Sequence, residues 1–195
     1  MTGWTLLGAL TIGIAAWLFF SGFFKTWRRY RGVRVVTCPE NHESAAVKVD
    51  AVDAAKWFAV SGEPDVHLRA CSRWPEKEGC DQGCLKEINA SPDACALHTI
   101  VASWYDEKDC VLCKRPIGEI VWHERPAAVK LAEGTMREWK DIPPEQLPKI
   151  FASAEPVCWS CFMVENFRHD HPEMVVQRIH PVEQHHAIPP SSATY

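Results

Sequence analysis

Complete catalytic signatures are missing from this sequence. It has no HExxH, which excludes a zincin-type hydrolase site, and no glycine-rich phosphate loop, which excludes a P-loop nucleotide site. It has no CxxCH, which excludes covalently attached c-type haem. The carboxylates form no pair in a recognisable acid–base setting, and no internal repeat is present. Basic charge is scarce beyond one short segment. Residues 1–24 carry no charged side chain, and residues 25–34 carry five basic ones: Lys25, Arg28, Arg29, Arg31 and Arg34. Of 21 Lys+Arg and 25 Asp+Glu, residues 35–195 therefore keep 16 basic against 25 acidic, a net of −9. That balance excludes the basic face that nucleic-acid binding needs. Neither an enzyme nor a small-molecule substrate is implied.

What is present is first an apolar run. Trp4 to Phe24 is uncharged, and at 1.5 Å per residue its length matches a hydrocarbon core of roughly 30 Å. Trp4 at one end and Trp27 and Tyr30 at the other suit the two interfaces. A cleaved signal peptide places its positive charge before the apolar region, whereas here Lys25 and the arginines follow it. The expectation is a retained single-pass transmembrane helix. Its flanking charge puts the N-terminus outside and the remainder in the cytoplasm, with the basic segment against lipid headgroups.

The other 160 or so residues suffice for one domain or two small ones. Val33–Cys38 alternates like a strand, Pro39-Glu-Asn-His reads as a turn, and Ala45–Val49 as a return strand. Asp50 or Asp53 caps a helix through Phe58. Two helices are expected next, one from Gln82 to Asn89 and one from the Ser91-Pro92 start to Tyr105. Ile117–His123 reads as a strand, Cys158–Phe167 as a helix and Met174–Ile179 as a final strand. The expected fold class is α+β with short strands. Its divisions are a membrane helix (1–24), a basic juxtamembrane segment (25–37), a cysteine-containing subdomain (38–109), a metal module (110–182) and an extended tail (183–195).

Nine cysteines are many for such a chain. Cys110-x2-Cys113 and Cys158-x2-Cys161, 44 residues apart, supply four thiolates, the set that suits tetrahedral zinc. A second group, Cys71, Cys80, Cys84 and Cys95, is either a second zinc site or a set of buried thiols acting as small hydrophobes. Cys38 is left over as a free core thiol. Disulfides would compete only if the domain lay outside the cytoplasm. His169, His171, His185 and His186 read as solvated surface groups. The tryptophans read as a mixture of core and partner-contact residues.

Cys110-Val-Leu-Cys-Lys-Arg-Pro-Ile-Gly resembles the zinc knuckle that opens a treble-clef finger. Cys158-Trp-Ser-Cys-Phe-Met-Val-Glu-Asn-Phe resembles the pair at that fold's helix N-terminus. The resemblance covers roughly residues 108–180, implies an insertion around 126–152, and gives architecture rather than function. The functional expectation is a non-catalytic accessory subunit that docks a zinc-stapled cytoplasmic domain onto a larger membrane complex. Respiratory or photosynthetic electron-transfer assemblies would be natural hosts. The alternative is a membrane-tethered, rubredoxin-like iron protein, with Lys114 and Phe162 standing where rubredoxins carry glycine. A thiol oxidoreductase using Cys158 and Cys161 lacks the parallel-sheet pattern around it.

Overall fold

Helix α1 (Gly3–Tyr30) runs unbroken for 28 residues, about 42 Å at the usual rise. The computed structural model describes residues 3–174 apart from 75, 78 and 123. Within the candidate span Leu7–Tyr30, the most apolar 18-residue window has a mean hydropathy of 1.9 and is not buried by the rest of the protein. It is long and apolar enough to cross a membrane. Its last turns behave differently, for Thr26 and Tyr30 are buried and Trp27 packs against the first core.

Arg34 ends the helix. Gly32, at φ +92°, turns the chain back, as a left-handed residue after a helix commonly does. The fully buried Arg34 side chain then returns to the helix end. Its Nη1 donates to the Tyr30 carbonyl at 2.7 Å and to the Arg31 carbonyl at 3.4 Å, and its Nη2 donates to the Arg29 carbonyl. A cation at a helix C-terminus meets carbonyls that lack helical partners and the negative end of the dipole. Burial lowers the Arg34 pKa from its ordinary value, but guanidinium starts so high that it stays charged. Of the five basic residues in this segment, Lys25, Arg28, Arg29 and Arg31 are exposed, whereas Arg34 is an internal cap.

Strand β1 (Val33–Thr37) begins an antiparallel sheet with β2 (Ser44–Val49) and β3 (Leu68–Cys71), in the order β1-β2-β3. Val35 lies opposite Ala46, and Val47 lies opposite Cys71. Between β2 and β3, helix α2 (Ala51–Ser61) packs along α1. Asp50 starts it as expected, its Oδ1 accepting the Asp53 N–H at 3.0 Å. Gly22 admits the Phe58 ring from α2, since a Cβ there would lie 3.3 Å from it.

Helices α3 (Leu85–Ala90) and α4 (Leu97–Tyr105) follow. The second helix starts six residues after the expected Ser91 cap. Cys95 and Ala96 are drawn onto the sheet instead, where Val35 N–H donates to the Cys95 carbonyl and Ala96 bridges Arg34. Ala96 stays extended, so α4 can begin only after it. The expected strand Ile117–His123 contains one isolated bridge among its described residues, Val121 to Arg125, and Pro116 just before it pairs with Asp109. A second antiparallel sheet has the order β5-β4-β6, from β4 (Ala128–Lys130), β5 (Met136–Glu138) and β6 (Glu155–Val157). Short helical turns and α5 (Leu147–Phe151) connect β5 to β6. Helix α6 (Trp159–Asp170) follows β6. The final strand expected at Met174–Ile179 and the tail lie outside the described residues, apart from Met174.

The alternation of β1 divides the interior. Val36 faces a core with Tyr30, Val47, Val49 and Ile88. Val35 faces a second core with Val101, Tyr105, Val129 and Leu147. Helix α4 belongs to this second core, where Tyr105 Oη donates to the Ala128 carbonyl at 2.7 Å. Trp104 stacks on Phe151 with centroids 4.4 Å apart, and Trp122 meets Trp139 edge-on at 5.2 Å. These aromatics form a packed wall of the interior, while Trp57 on α2 is exposed.

Candidate metal centre

The two CxxC pairs meet because the chain around each is tied to the same strand. Cys110 opens a tight turn in which its N–H donates to the Arg115 carbonyl at 2.8 Å and its carbonyl accepts the Lys114 N–H at 2.9 Å. Lys114 takes a left-handed φ of +58° to close this knuckle. The next residue, Val111, donates its N–H to the Pro156 carbonyl in β6 at 2.9 Å. Strand β6 leads directly into α6, with Cys158 at its cap and Cys161 in its first turn. The knuckle therefore lies against the start of the helix.

All four sulfurs lie within 4.8 Å of one another. A tetrahedron of thiolates around zinc, with bonds near 2.3 Å, has edges of about 3.8 Å. Cys113 Sγ and Cys158 Sγ are 3.8 Å apart, so the set fits a tetrahedral ion at this edge. Cys158 N–H also donates to Cys110 Sγ at 3.3 Å. Burial alone would raise the Cys110 pKa, but this N–H and those of Cys113 and Leu112 hold it down at about 6. Burial and the crowding thiols of Cys158, Cys113 and Cys110 push Cys161 up, and burial foremost raises Cys158. Four such groups cannot ionise together without a cation, and a divalent ion removes the conflict. Softness favours zinc or iron over calcium or magnesium. The donor set fits a metal but does not choose between these two.

Cys110 is buried, Cys158 and Cys161 are partly buried, and Cys113 is exposed. Beside them lies an open hollow of about 680 Å³, with Arg115, Arg125, Arg168 and Trp159 on its walls. His169 and His171 are not drawn to the thiols. They pair with Asp170 at 3.2 Å and Glu173 at 3.4 Å. His185 and His186 lie outside the described residues.

The second cysteine group is only partly assembled as expected. Cys71, Cys80 and Cys84 line one small cavity, and the fourth cysteine on its wall is Cys38. Cys95 instead donates its thiol to the Ser91 carbonyl at 3.2 Å and lies within reach of the Arg34 charge. All nine cysteines are free thiols. Sequence reasoning takes Cys38 as a free core thiol, because it stands apart from both spaced groups of cysteines. The available signal was the turn sequence Pro39-Glu-Asn-His.

No protein-family model, curated protein or solved structure matches this chain.

Proposed function

We propose that this protein is a single-pass, non-catalytic accessory subunit whose cytoplasmic domain is stapled by zinc at Cys110, Cys113, Cys158 and Cys161 and docks onto a larger membrane complex. The observation that carries this reading is the pairing of an unburied apolar helix with a domain built around a four-thiol cluster. A closed set of four protein ligands is the pattern of structural zinc, since catalytic sites keep a position open. The exposed Lys25, Arg28, Arg29 and Arg31 supply the positive flank that keeps the domain cytoplasmic and attract anionic lipid headgroups. Respiratory and photosynthetic electron-transfer assemblies are hosts of the right kind.

Two measurements test this. The full-length protein, solubilised from native membranes in mild detergent, should migrate with the same membrane proteins at a fixed ratio. A monodisperse monomer would overturn the subunit reading. Cys110→Ser should lose one bound metal ion and fail to fold the small core around it, Ala128, Val157 and Phe162, because a structural zinc ion contributes on the order of 10 kcal/mol. A variant with full metal content and native melting would remove the site. The four-thiol set also suits a single iron, and the N–H donation to Cys110 Sγ is of the type that tunes iron–sulfur potentials. A coloured protein that bleaches on reduction would establish that alternative; a colourless zinc protein would exclude it.

A further inference from the structure

The turn at Cys38 repeats the knuckle at Cys110 bond for bond. Cys38 N–H donates to the Glu43 carbonyl at 2.8 Å, five residues on, and the Cys38 carbonyl accepts the His42 N–H at 2.8 Å. The Cys110 turn makes the same two bonds to Arg115 and Lys114. His42 and Lys114, each four residues after the cysteine, share a φ of +58°. Backbone N–H groups two and three residues on, Glu40 and Asn41 in one turn and Leu112 and Cys113 in the other, are directed at the cysteine sulfur. A turn of this kind presents a thiolate to a cation, and Asn41 occupies the place where the other knuckle has its second cysteine.

Three further thiols face this turn. Cys71 ends β3, opposite Val47 in the sheet, and Cys80 and Cys84 flank the loop before α3. That loop is pressed onto the Cys38 turn, for a Cβ at Gly83 would come within 3.1 Å of Pro39 Cγ. It is pinned to β3 by Gln82, whose Oε1 accepts the Leu68 N–H at 3.1 Å. Cys38, Cys71, Cys80 and Cys84 together wall a cavity of about 20 Å³, the scale of a single water or ion. We infer that these four cysteines form a second tetrathiolate zinc site, in which Cys38 replaces the Cys95 that spacing alone suggested. Arg73, whose Nη1 donates to Cys38 Sγ at 2.7 Å, offsets part of the charge of a four-thiolate centre. Zinc draws the sulfurs closer than they lie here, where the first four alone among the described residues fall within 4.8 Å.

The site staples the β1–β2 turn, the end of β3 and the start of α3 around the first core. It does not depend on the proposed role as a subunit, but the ion count below takes the Cys110 centre as the first zinc site. The test uses the full-length protein in detergent, purified without chelator. Zinc and protein are quantified together. Two zinc ions per chain are expected for the wild type, one for Cys38→Ser, one for Cys110→Ser and two for Cys95→Ser. A wild type with one ion, an unchanged count in Cys38→Ser or a lost ion in Cys95→Ser would each overturn the site. Should Cys38→Ser not fold, cobalt(II) replacement in the wild type decides the matter. Two equivalents giving tetrahedral four-sulfur spectra support the second site, and saturation at one equivalent overturns it.

Discussion

Arg34→Met removes the buried fork that ends α1 and leaves the shape of the side chain roughly in place. The wild-type guanidinium makes one 2.7 Å bond to the Tyr30 carbonyl, a bond to the Arg29 carbonyl and a longer one to Arg31. Bonds to a charged group contribute about 1.5–3 kcal/mol each, so the two shorter ones amount to roughly 3–6 kcal/mol. Against this stands the cost of keeping a guanidinium away from water, several kcal/mol in a site of this kind. The Nε atom, buried without a partner, adds to that cost. The carbonyls left behind are partly buried and lose their donors. A net loss of about 3 kcal/mol is expected, which for a chain of this size lowers the melting temperature by about 6–12 °C. Tryptophan fluorescence during a thermal ramp in detergent reads this directly, because Trp27 packs beside the same core. Arg34→Lys keeps the charge but loses the fork, and should melt between the two. A methionine variant that melts within about 2 °C of wild type, less than one kcal/mol on the same scale, would refute the capping role.

Tyr105→Phe leaves the Ala128 carbonyl without its 2.7 Å donor and should cost about 1–2 kcal/mol in denaturant unfolding. Burial also raises the Tyr105 pKa in the folded state. The unfolded tyrosine ionises near 10 while the folded one stays protonated, so its contribution is complete below that pH. It falls by about 1.4 kcal/mol per pH unit above it, and this alkaline slope should be shallower in the phenylalanine variant. At Gly22, alanine should be close to neutral, since helix propensity gains up to ~1 kcal/mol while the Phe58 ring shifts slightly. Leucine should cost about 1–3 kcal/mol by overpacking and lower the hydrogen-exchange protection of α2; native protection in that variant would contradict the Gly22–Phe58 contact.

Much of this arrangement can be read in the amino acids because its determinants are local. The apolar length of α1, the Asp50 cap and the alternation of β1 and β2 each lie within a few residues of what they organise. The CxxC pairs are also local signals, since each fixes two ligands from one turn, and only their meeting needed the structure. The rest depends on distant partners. Arg34 looks like the last member of a basic collar until α1 turns back onto it. Ser91-Pro92 is a sound helix start, overruled when Cys95 and Ala96 join the sheet. Strands β4, β5 and β6 span three residues each, too few for a period-two pattern to be visible. Cys38 and Cys95 illustrate the limit most sharply. Spacing groups cysteines by distance along the chain, whereas the backbone turn at Cys38 selects by which sulfur is surrounded with N–H donors.

The last two turns of α1 are at once the end of an apolar helix and part of a folded core. Phe58 from α2 reaches the helix at Gly22, upstream of the first basic residue. No swivel separates the rod from the body it carries. If the rod tilts, the body must tilt by the same angle, and a load applied to the distal sheet is delivered to the rod as torque. A protein built this way behaves as a strut that sets height and bearing, and whatever holds either end thereby orients the other.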